Sequence, residues 1–204
     1  MSSILIISLS AIIYAVVHSL LATLSAKARA RQRLGPIAER WYRLAYNIFA
    51  GISFLPILWL MATLPDKTLY TIQQPWIWLS SAGQLIAAMI IILGIWQADA
   101  FAFLGLRQIV APQAVPAKPE LIISGLYRRV RHPLYTGGLL FLWLTPILTR
   151  NSLTLSIILS LYLIVGARFE ERRLLHEFGA DYAAYQQQVP MLLPRFLPPK
   201  PKTD

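Results

Sequence analysis

The feature that most constrains this chain is a set of long apolar stretches that carry few or no charges. The first of them, residues 3–24, contains no charged residue at all. A transmembrane α-helix needs about 20 consecutive apolar residues to cross a hydrocarbon core of about 30 Å. Inside lipid, only helices and closed barrels satisfy every backbone hydrogen bond. The stretches therefore predict an all-α integral membrane protein.

Five stretches have the composition of membrane spans, and they cover residues 3–24, 44–64, 76–98, 133–149 and 151–167. Only the Arg150-Asn151 junction separates the last two, which predicts a C-terminal helical hairpin. We therefore expect five transmembrane helices. An N-terminal three-helix region would occupy residues 1–98, and residues 99–204 would form a core with the hairpin, an interfacial C-terminal helix and a tail.

The composition fits a membrane protein and excludes several other classes. Hydrophobic residues make up 56% of the 204 residues and charged residues only 14%, whereas soluble domains carry about 25% charged residues. An ordinary cytosolic enzyme and a disordered chain are thereby excluded. The absence of cysteine excludes disulfides, thiolate metal sites and a cysteine nucleophile. We expect no cleavable signal peptide, because the first apolar stretch has no basic segment before it and is too long.

The basic residues concentrate on one side of the predicted membrane. Residues 25–43, residues 99–132 and the tail from Arg168 hold seventeen of the nineteen Lys and Arg residues, which leaves Lys67 and Arg150 for the other side. The positive-inside rule then predicts a multi-pass protein of the inner or plasma membrane, with its N-terminus outside and its C-terminus in the cytoplasm. Juxtamembrane charge explains the net charge of +10 through membrane lipid, without nucleic acid.

The fifth span is expected to continue as a helix beyond the membrane surface. Helical spacing runs from Ser152 to Phe178, a length of about 40 Å, so the helix would project about 10 Å beyond the hydrocarbon. Gly179 suits the position just after a helix. Glu170 and Glu171 would then lie where the helix leaves the membrane. Paired glutamates beside arginines can equally form a solvated salt-bridge face.

The fourth predicted span begins with polar residues on the same side. Pro133 suits the first turn of a helix, which places His132 at the N-cap and leaves free amides facing the cytoplasmic mouth. Gly137 and Gly138, one turn further, would let another backbone or a flat ligand approach closely. His132 can equally be a helix cap and no more, and the tyrosines of this region can equally belong to an interfacial aromatic belt.

In their order and spacing, these motifs resemble the isoprenylcysteine carboxyl methyltransferase and phospholipid methyltransferase superfamily, whose members are integral membrane enzymes that use S-adenosylmethionine. The resemblance covers residues 104–194. It rests on Gly125-Leu126-Tyr127, the segment from Arg131 to Gly137, Glu170-Glu171, Phe178-Gly179, Tyr182, Tyr185, Val189-Pro190 and Pro194. Within the superfamily, His18-Ser19 and residues 103–108 and 189–194 are similar to methanethiol S-methyltransferases and to denitrification-associated membrane proteins.

The resemblance implies a pocket for S-adenosylmethionine at the cytoplasmic interface and a methyltransferase core over residues 99–204. It assigns the cofactor contacts to Leu121, Ile122, Tyr127, His132, Pro133, Leu134, Tyr135, Glu170 and Glu171. Carboxylates can accept hydrogen bonds from an ammonium group or ribose hydroxyls, a tyrosine face attracts a sulfonium, and helix-start amides suit a carboxylate. No metal is expected.

The same resemblance leads to a small or lipophilic methyl acceptor, and a thiol is favoured. A thiol reacts as its thiolate, which Arg131, Arg168 or Arg107 would stabilise, while His132 would accept its proton. Gly166 stands where the prenylcysteine enzymes carry an arginine that binds the substrate carboxylate. The acceptor would reach an interfacial site laterally through the bilayer.

Other functions stay open at this point. Within the superfamily, the acceptor can be a prenylcysteine carboxyl group or a phospholipid amine. A non-catalytic membrane assembly factor that keeps the fold is a further alternative. A haem or metal protein would have to use His18, but the three histidines, at positions 18, 132 and 176, form no paired-helix ligand set.

Overall fold

The computed structural model of the protein describes residues 2–111 and 120–194. Within these residues the regular structure is helical apart from one two-stranded ribbon. The elements are α1 (Ser3–Ala22), α2 (Leu24–Leu34), α3 (Pro36–Thr63), β1 (Thr68–Thr71), α4 (Trp76–Gln97), α5 (Ala100–Leu104), α6 (Arg107–Val110), a 3₁₀ turn (Gly125–Arg128), α7 (Pro133–Trp143), β2 (Ile147–Thr149), α8 (Arg150–Phe178) and α9 (Ala180–Gln188). The expected C-terminal tail from residue 195 lies outside the described residues.

Four of the helices in the described ranges, α1, α3, α4 and α8, are long and apolar enough to cross a membrane. Their large apolar side chains are widely exposed: Leu20 is 61% exposed, Ile52 62% and Leu79 68%. So many exposed apolar side chains on each of these helices are unfavourable in water and suit lipid. The chain is therefore an integral membrane protein, as its apolar stretches predict.

The predicted helical span over residues 133–149 is corrected by the structure. Its helix, α7, ends at Trp143 after 11 residues, a length of about 17 Å, which is about half the hydrocarbon thickness. Pro146 explains the early end, because proline disfavours a helical conformation at Thr145 and has no N–H to donate. Residues Ile147–Thr149 form β2 instead. The predicted hairpin of two full-length helices, and with it the number of five spans, is not confirmed.

The described chain forms two compact units. Within the described residues, the first comprises residues 2–73, 98–111 and 146–160, and the second comprises residues 74–97, 120–145 and 161–194. The boundary passes through α8, whose first 11 residues (150–160) belong to the first unit. The division of the chain into residues 1–98 and 99–204 concerns function and stays a prediction.

In the first unit, α1 and α3 pack along their apolar faces. Ile7, Ala11 and Ile57 form a buried cluster together with Leu155 of α8. Nε2 of His18 lies 2.7 Å from the hydroxyl oxygen of Tyr46. A polar side chain inside a membrane span needs such a partner, so this contact gives His18 a structural role between the two helices.

The ribbon of the first unit joins the segment after α3 to the segment before α8. Strand β1 pairs with β2 in antiparallel fashion, and the backbone N–H of Arg150 donates to the carbonyl oxygen of Lys67 at 2.9 Å. The carboxylate of Asp66 accepts from the backbone N–H of Lys67 at 2.7 Å and of Asn151 at 3.0 Å. Lys67 and Arg150, the two basic residues outside the three basic segments, are therefore neighbours.

In the second unit, α4 and α7 pack closely through small residues. A Cβ atom at Gly137 would lie 2.8 Å from Cγ1 of Ile91 and 3.0 Å from the carbonyl oxygen of Ala87, so a side chain there would force α4 to shift. Ser80 donates to the carbonyl oxygen of Leu144 at 2.5 Å. Small residues and interhelical hydrogen bonds are the usual means of helix association in lipid, and the neighbour for which Gly137 makes room is the α4 backbone.

Tryptophans mark both ends of α4. Trp76 and Trp78 lie in its first turn and Trp96 in its last, and they are 66%, 68% and 74% exposed. The 21 residues from Trp76 to Trp96 span about 30 Å, which equals the usual hydrocarbon thickness. Since tryptophan is enriched at both membrane interfaces, the whole length of α4 fits a single crossing.

Candidate functional site

Two polar segments meet in the second unit. Glu170 and Glu171 lie near the C-terminal end of α8, and His132 is the N-cap residue of α7, with Pro133 in its first turn. Nδ1 of His132 lies 3.5 Å from Oε2 of Glu170, and Nε2 lies 2.9 Å from Oε1 of Glu171. The glutamate pair and the His-Pro segment, which the sequence predicts to be neighbours, are therefore in contact.

Glu171 accepts hydrogen bonds on both carboxylate oxygens. Oε1 accepts from Nε of Arg131 at 2.7 Å, from His132 at 2.9 Å and from the Tyr182 hydroxyl at 2.8 Å. Oε2 accepts from Nη2 of Arg131 at 2.7 Å and from the Gln186 amide at 2.6 Å. A carboxylate offers about four lone-pair sites, so protein donors saturate Glu171.

Arg131 likewise makes four hydrogen bonds to protein partners. Besides its two bonds to Glu171, its Nη1 donates to the backbone carbonyl oxygens of Gln186, at 3.0 Å, and Val189. These carbonyls belong to the C-terminal end of α9, where a cation interacts favourably with the helix dipole. The Arg131 and Glu171 side chains are only 10% and 12% exposed. The pair thus forms a buried, bidentate ion pair of the strong kind.

Glu170 is in a different environment. About a third of its side chain is exposed (34%), and its neighbours are His132, the hydroxyl of Tyr135 and the charge of Arg173. The rings of His132 and Tyr135 are stacked, with centroids 5.4 Å apart. Burial, with a further contribution from the Glu170 charge, raises the pKa of Tyr127 to about 12. The accessible Glu170 carboxylate therefore lies near one imidazole and two tyrosine hydroxyls. Both tyrosine hydroxyls stay protonated at neutral pH.

The segment after α9 is joined to the start of α7. The backbone N–H groups of Arg131 and His132 donate to the carbonyl oxygens of Pro190, at 2.9 Å, and Met191, at 3.2 Å. The Thr136 hydroxyl donates to the carbonyl oxygen of Leu192 at 2.7 Å. These bonds hold the first turn of α7 in a defined orientation.

Two tyrosines anchor α9. Tyr182 and Tyr185 are 1% and 8% exposed and form a buried cluster with Val189. The Tyr185 hydroxyl donates to the backbone carbonyl oxygen of Tyr127 at 2.5 Å. Leu121, one of the predicted cofactor residues, packs against this cluster. The 3₁₀ turn with Tyr127 is thereby attached to α9.

The remaining predicted site residues lie around this centre. Ile122 is partly exposed, Pro133 is buried, and the Leu134 side chain packs where Gly94 leaves room on α4. Arg168 is exposed, and it precedes Glu170 by two residues, a spacing that puts the two side chains on different faces of a helix. The structure thus brings together Tyr127, the His132–Tyr135 turn and the glutamates, but it does not bring Arg168 to them.

Sequence reasoning did not assign a role at the site to Tyr182 or Gln186, which bind Glu171, or to Gln97. The Gln97 side chain accepts from the backbone N–H of Leu126 at 2.9 Å and so holds the 3₁₀ turn. The four-residue spacing of Tyr182 and Gln186 places both on one helix face, and this was the available signal. Within residues 2–111 and 120–194 no cluster of three or more His, Asp or Glu side chains is arranged to hold a metal ion.

Comparison with known proteins gives a consistent set of relatives. A family model described as phospholipid methyltransferase matches residues 83–181. The methanethiol S-methyltransferase of Mycobacterium tuberculosis (strain ATCC 25618 / H37Rv) is 31% identical over 192 residues, which cover 89% of this chain and 74% of that protein. Methanethiol S-methyltransferase 1 of Bradyrhizobium diazoefficiens is 29% identical over 187 residues, covering 89% of this chain and 64% of that protein.

A methanethiol S-methyltransferase of Pseudomonas sp. (strain GM41(2012)) is 32% identical over 151 residues, which cover 71% of this chain and 55% of that protein. Against several curated relatives the chain thus spans less than two thirds of their length. No solved structure matches the chain.

Proposed function

The chain belongs to the methanethiol S-methyltransferase family, and from this premise we propose that it transfers a methyl group from S-adenosylmethionine to a small or lipophilic thiol. The observation that carries the proposal is the contact of the Glu170 carboxylate with the His132–Tyr135 pair. Relatives that are named methanethiol S-methyltransferases support the reaction type.

In this proposal Glu170 is the carboxylate that binds the cofactor. Its accessible surface can accept hydrogen bonds from the ammonium group or the ribose hydroxyls. The aromatic faces of Tyr127 and Tyr135 would attract the sulfonium, an interaction of about 2 kcal/mol in a desolvated site. The first-turn amides of α7, at Leu134 and Tyr135, have no acceptor within the helix and suit the cofactor's carboxylate. Leu121 and Ile122 are candidates for apolar contact with the adenine.

Glu171, Arg131 and Pro133 act on the cofactor indirectly in this scheme. The Glu171–Arg131 pair orients His132, and Pro133 sets the direction of the first turn of α7. Direct binding of the cofactor by Glu171, which the resemblance implies, would require one of its five protein hydrogen bonds to break, so we assign that role to Glu170.

When bound, S-adenosylmethionine supplies an electrophilic methyl group. The protein's main task is then to align the acceptor sulfur behind this methyl group, and alignment alone can lower a barrier by about 7–11 kcal/mol. Nδ1 of His132 accepts the thiol proton, and Glu170 stabilises the resulting imidazolium. Arg131 uses its donors on Glu171 and α9, and Arg107 pairs with Asp99 at 2.9 Å. Of the three predicted arginines, Arg168 is therefore the remaining candidate for stabilising a thiolate. Arg168→Ala tests that role through the pH dependence of the rate.

The absence of an arginine at position 166 supports a small, uncharged acceptor. Nothing lies within 4 Å of a Cβ atom built at Gly166, so close packing does not require glycine there. The prenylcysteine enzymes carry a substrate-binding arginine at this position, and its absence removes the obvious clamp for a carboxylate. A neutral thiol that arrives from the bilayer needs no such clamp.

Phospholipid N-methylation is a second candidate, because the matching family model is described as phospholipid methyltransferase. In that reaction the acceptor would be the primary amine of a membrane lipid. A neutral amine is the nucleophile, so His132 would again be the proton acceptor, and the two candidates differ in the acceptor alone.

We further propose that the site faces the cytoplasm, with the N-terminus outside. In the sequence, seventeen of the nineteen basic residues fall in the three segments predicted for the site's side, which supports this orientation by the positive-inside rule. S-adenosylmethionine is made and used in the cytoplasm, so the orientation also gives the proposed cofactor access.

The proposal is tested with the full chain in lipid nanodiscs and S-adenosylmethionine labelled in its methyl group. The acceptor panel contains alkyl thiols of increasing length, a prenylcysteine and phosphatidylethanolamine. We expect transfer to thiols and no transfer to the other two acceptors. Transfer to phosphatidylethanolamine alone would establish the second candidate. Saturable binding of S-adenosylhomocysteine without transfer to any acceptor would favour a non-catalytic assembly factor, and the absence of binding would contradict both methyltransferase proposals.

A further inference from the structure

We infer that Tyr182 and Gln186 of α9 are positioning residues: through Glu171 they hold His132 in the tautomer whose Nδ1 faces Glu170 as a hydrogen-bond acceptor. The inference deepens the proposed methyl transfer and rests on it for its kinetic readout, but its spectroscopic readout is independent of activity.

The first step concerns the orientation of Glu171. Tyr182 donates to Oε1 at 2.8 Å and Gln186 donates to Oε2 at 2.6 Å, so α9 contacts each oxygen of the carboxylate once. Arg131 contacts both oxygens from the opposite segment, at 2.7 Å each. Four donors on two sides fix the plane of the carboxylate, and Oε1 is thereby directed at His132.

The second step concerns the tautomer of His132. The Glu171 carboxylate, paired with Arg131, is an acceptor only, so the 2.9 Å contact with Nε2 requires the proton on Nε2. In the neutral imidazole the other nitrogen then carries a lone pair. That nitrogen, Nδ1, is 3.5 Å from Oε2 of Glu170. In this tautomer two acceptor atoms are therefore neighbours, and a donor such as an S–H or N–H group of a ligand would satisfy them.

The third step concerns the protonation of Tyr182. Burial, together with the Glu171 carboxylate, raises the pKa of the Tyr182 hydroxyl above its ordinary value. The hydroxyl therefore remains a donor throughout the pH range in which the protein would work. Because Tyr182 is only 1% exposed, solvent water does not reach its side chain to compete for the hydrogen bond to Glu171.

Tyr185 provides a matched control in the same helix. It is also buried, at 8% exposed, and its ring lies 5.8 Å from that of Tyr182 in an edge arrangement. Its hydroxyl, however, donates to the backbone of Tyr127 and not to a carboxylate. Tyr182→Phe and Tyr185→Phe each remove one buried hydroxyl, and only the first loses a bond to Glu171.

The tautomer is measured directly by long-range ¹H–¹⁵N spectra of the full chain with labelled histidine, in nanodiscs at neutral pH. With three histidines in the chain, the His132 signals are identified by their loss in His132→Gln. We expect the Nε2–H tautomer in the unmodified chain, a mixture of tautomers in Tyr182→Phe and in Gln186→Leu, and an unchanged spectrum in Tyr185→Phe. Gln186 is partly exposed, so its substitution keeps the test valid if Tyr182→Phe folds poorly.

The kinetic readout separates positioning from binding. Loss of a hydrogen bond to a charged group corresponds to about tenfold or more, so we expect kcat to fall about tenfold in Tyr182→Phe, with KM for S-adenosylmethionine within about twofold. The inference is overturned if His132 carries its proton mainly on Nδ1 in the unmodified chain, or if Tyr182→Phe and Gln186→Leu leave both tautomer and kcat unchanged. If the unmodified chain transfers no methyl group, the proposed function fails, while the tautomer comparison still decides this inference.

Discussion

At the scale of the residue, the two adjacent glutamates of α8 show how position on a helix determines chemistry. Consecutive helical residues point about 100° apart, so Glu171 faces Arg131 and α9 while Glu170 faces the Tyr135 hydroxyl. The first is saturated by five protein hydrogen bonds, and the second keeps accessible surface. We therefore assign stability to Glu171 and ligand binding to Glu170.

The assignment predicts that the same substitution lowers stability at position 171 and weakens ligand binding at position 170. Glu171→Gln leaves the buried Arg131 charge without its partner, so the free energy of unfolding should fall by about 3 kcal/mol, seen as a lower melting temperature in detergent. Glu170→Gln keeps the shape and loses the charge. We expect it to weaken S-adenosylhomocysteine binding about tenfold or more in calorimetry while the melting temperature stays within about 2 °C.

Each variant is the control for the other, because both remove one carboxylate charge from neighbouring positions of one helix. Equal losses of stability in the two variants, or a loss of binding confined to Glu171→Gln at temperatures where that variant is folded, would contradict the assignment.

At the scale of the element, α7 shows how a membrane helix can be short and still well packed. It has 11 residues, but it contacts α4 along a row of small residues where side chains leave room for backbone. Gly137 is the tightest of these positions with respect to backbone, since a Cβ atom there would lie 3.0 Å from the Ala87 carbonyl oxygen. Backbone atoms cannot move aside as a flexible side-chain end can, so this contact sets the spacing of the two helices.

Gly137→Ala is accordingly predicted to lower the stability of the protein by about 1–3 kcal/mol, the usual cost of overpacking. Gly51→Ala in α3 is the matched control, because nothing lies within 4 Å of a Cβ atom at Gly51. There the gain in helix propensity, up to about 1 kcal/mol, should leave stability equal or higher. Thermal unfolding in nanodiscs measures the stability of both variants. A Gly137→Ala protein as stable as the unmodified chain would show that α4 and α7 can move apart without a loss of stability.

At the scale of the whole molecule, the charge pattern and the ribbon agree on topology. Lys67 and Arg150, the two basic residues outside the three basic segments, are neighbours through β1 and β2. The positive-inside rule predicts one common side for them, opposite to the basic segments, and their proximity is consistent with that prediction. The orientation proposed for the site therefore depends on one experiment that distinguishes the two membrane faces.

Because the chain contains no cysteine, single introduced cysteines can be labelled without background from native thiols. A single cysteine at Gln73, in the exposed loop after β1, should react with a membrane-impermeant maleimide in intact cells. A single cysteine at the exposed residue Glu177, near the end of α8, should react only after the membrane is permeabilised. Labelling in the reverse pattern would place the candidate site outside the cell and remove its access to cytoplasmic S-adenosylmethionine.

The sequence alone was sufficient to predict the membrane class, the spans corresponding to α1, α3, α4 and α8, and the continuation of α8 to Phe178. Apolar run length determines these features, because the thickness of the hydrocarbon sets the number of residues needed. The neighbouring positions of Glu170, Glu171 and His132 were predictable as well, from the resemblance of ordered motifs.

The other features depend on contacts between distant parts of the chain. Helix α7 ends at Trp143, and residues Ile147–Thr149 form a strand, although the apolar stretch is long enough in sequence for a full span. The helix stops because Pro146 is incompatible with its continuation. The tertiary structure also decided which glutamate is saturated and which is accessible, and that α9 supplies two of the saturating donors. Periodicity places a side chain on a face of its helix, but it does not tell which distant segment covers that face, and hydrogen bonding in this protein depends on those distant segments.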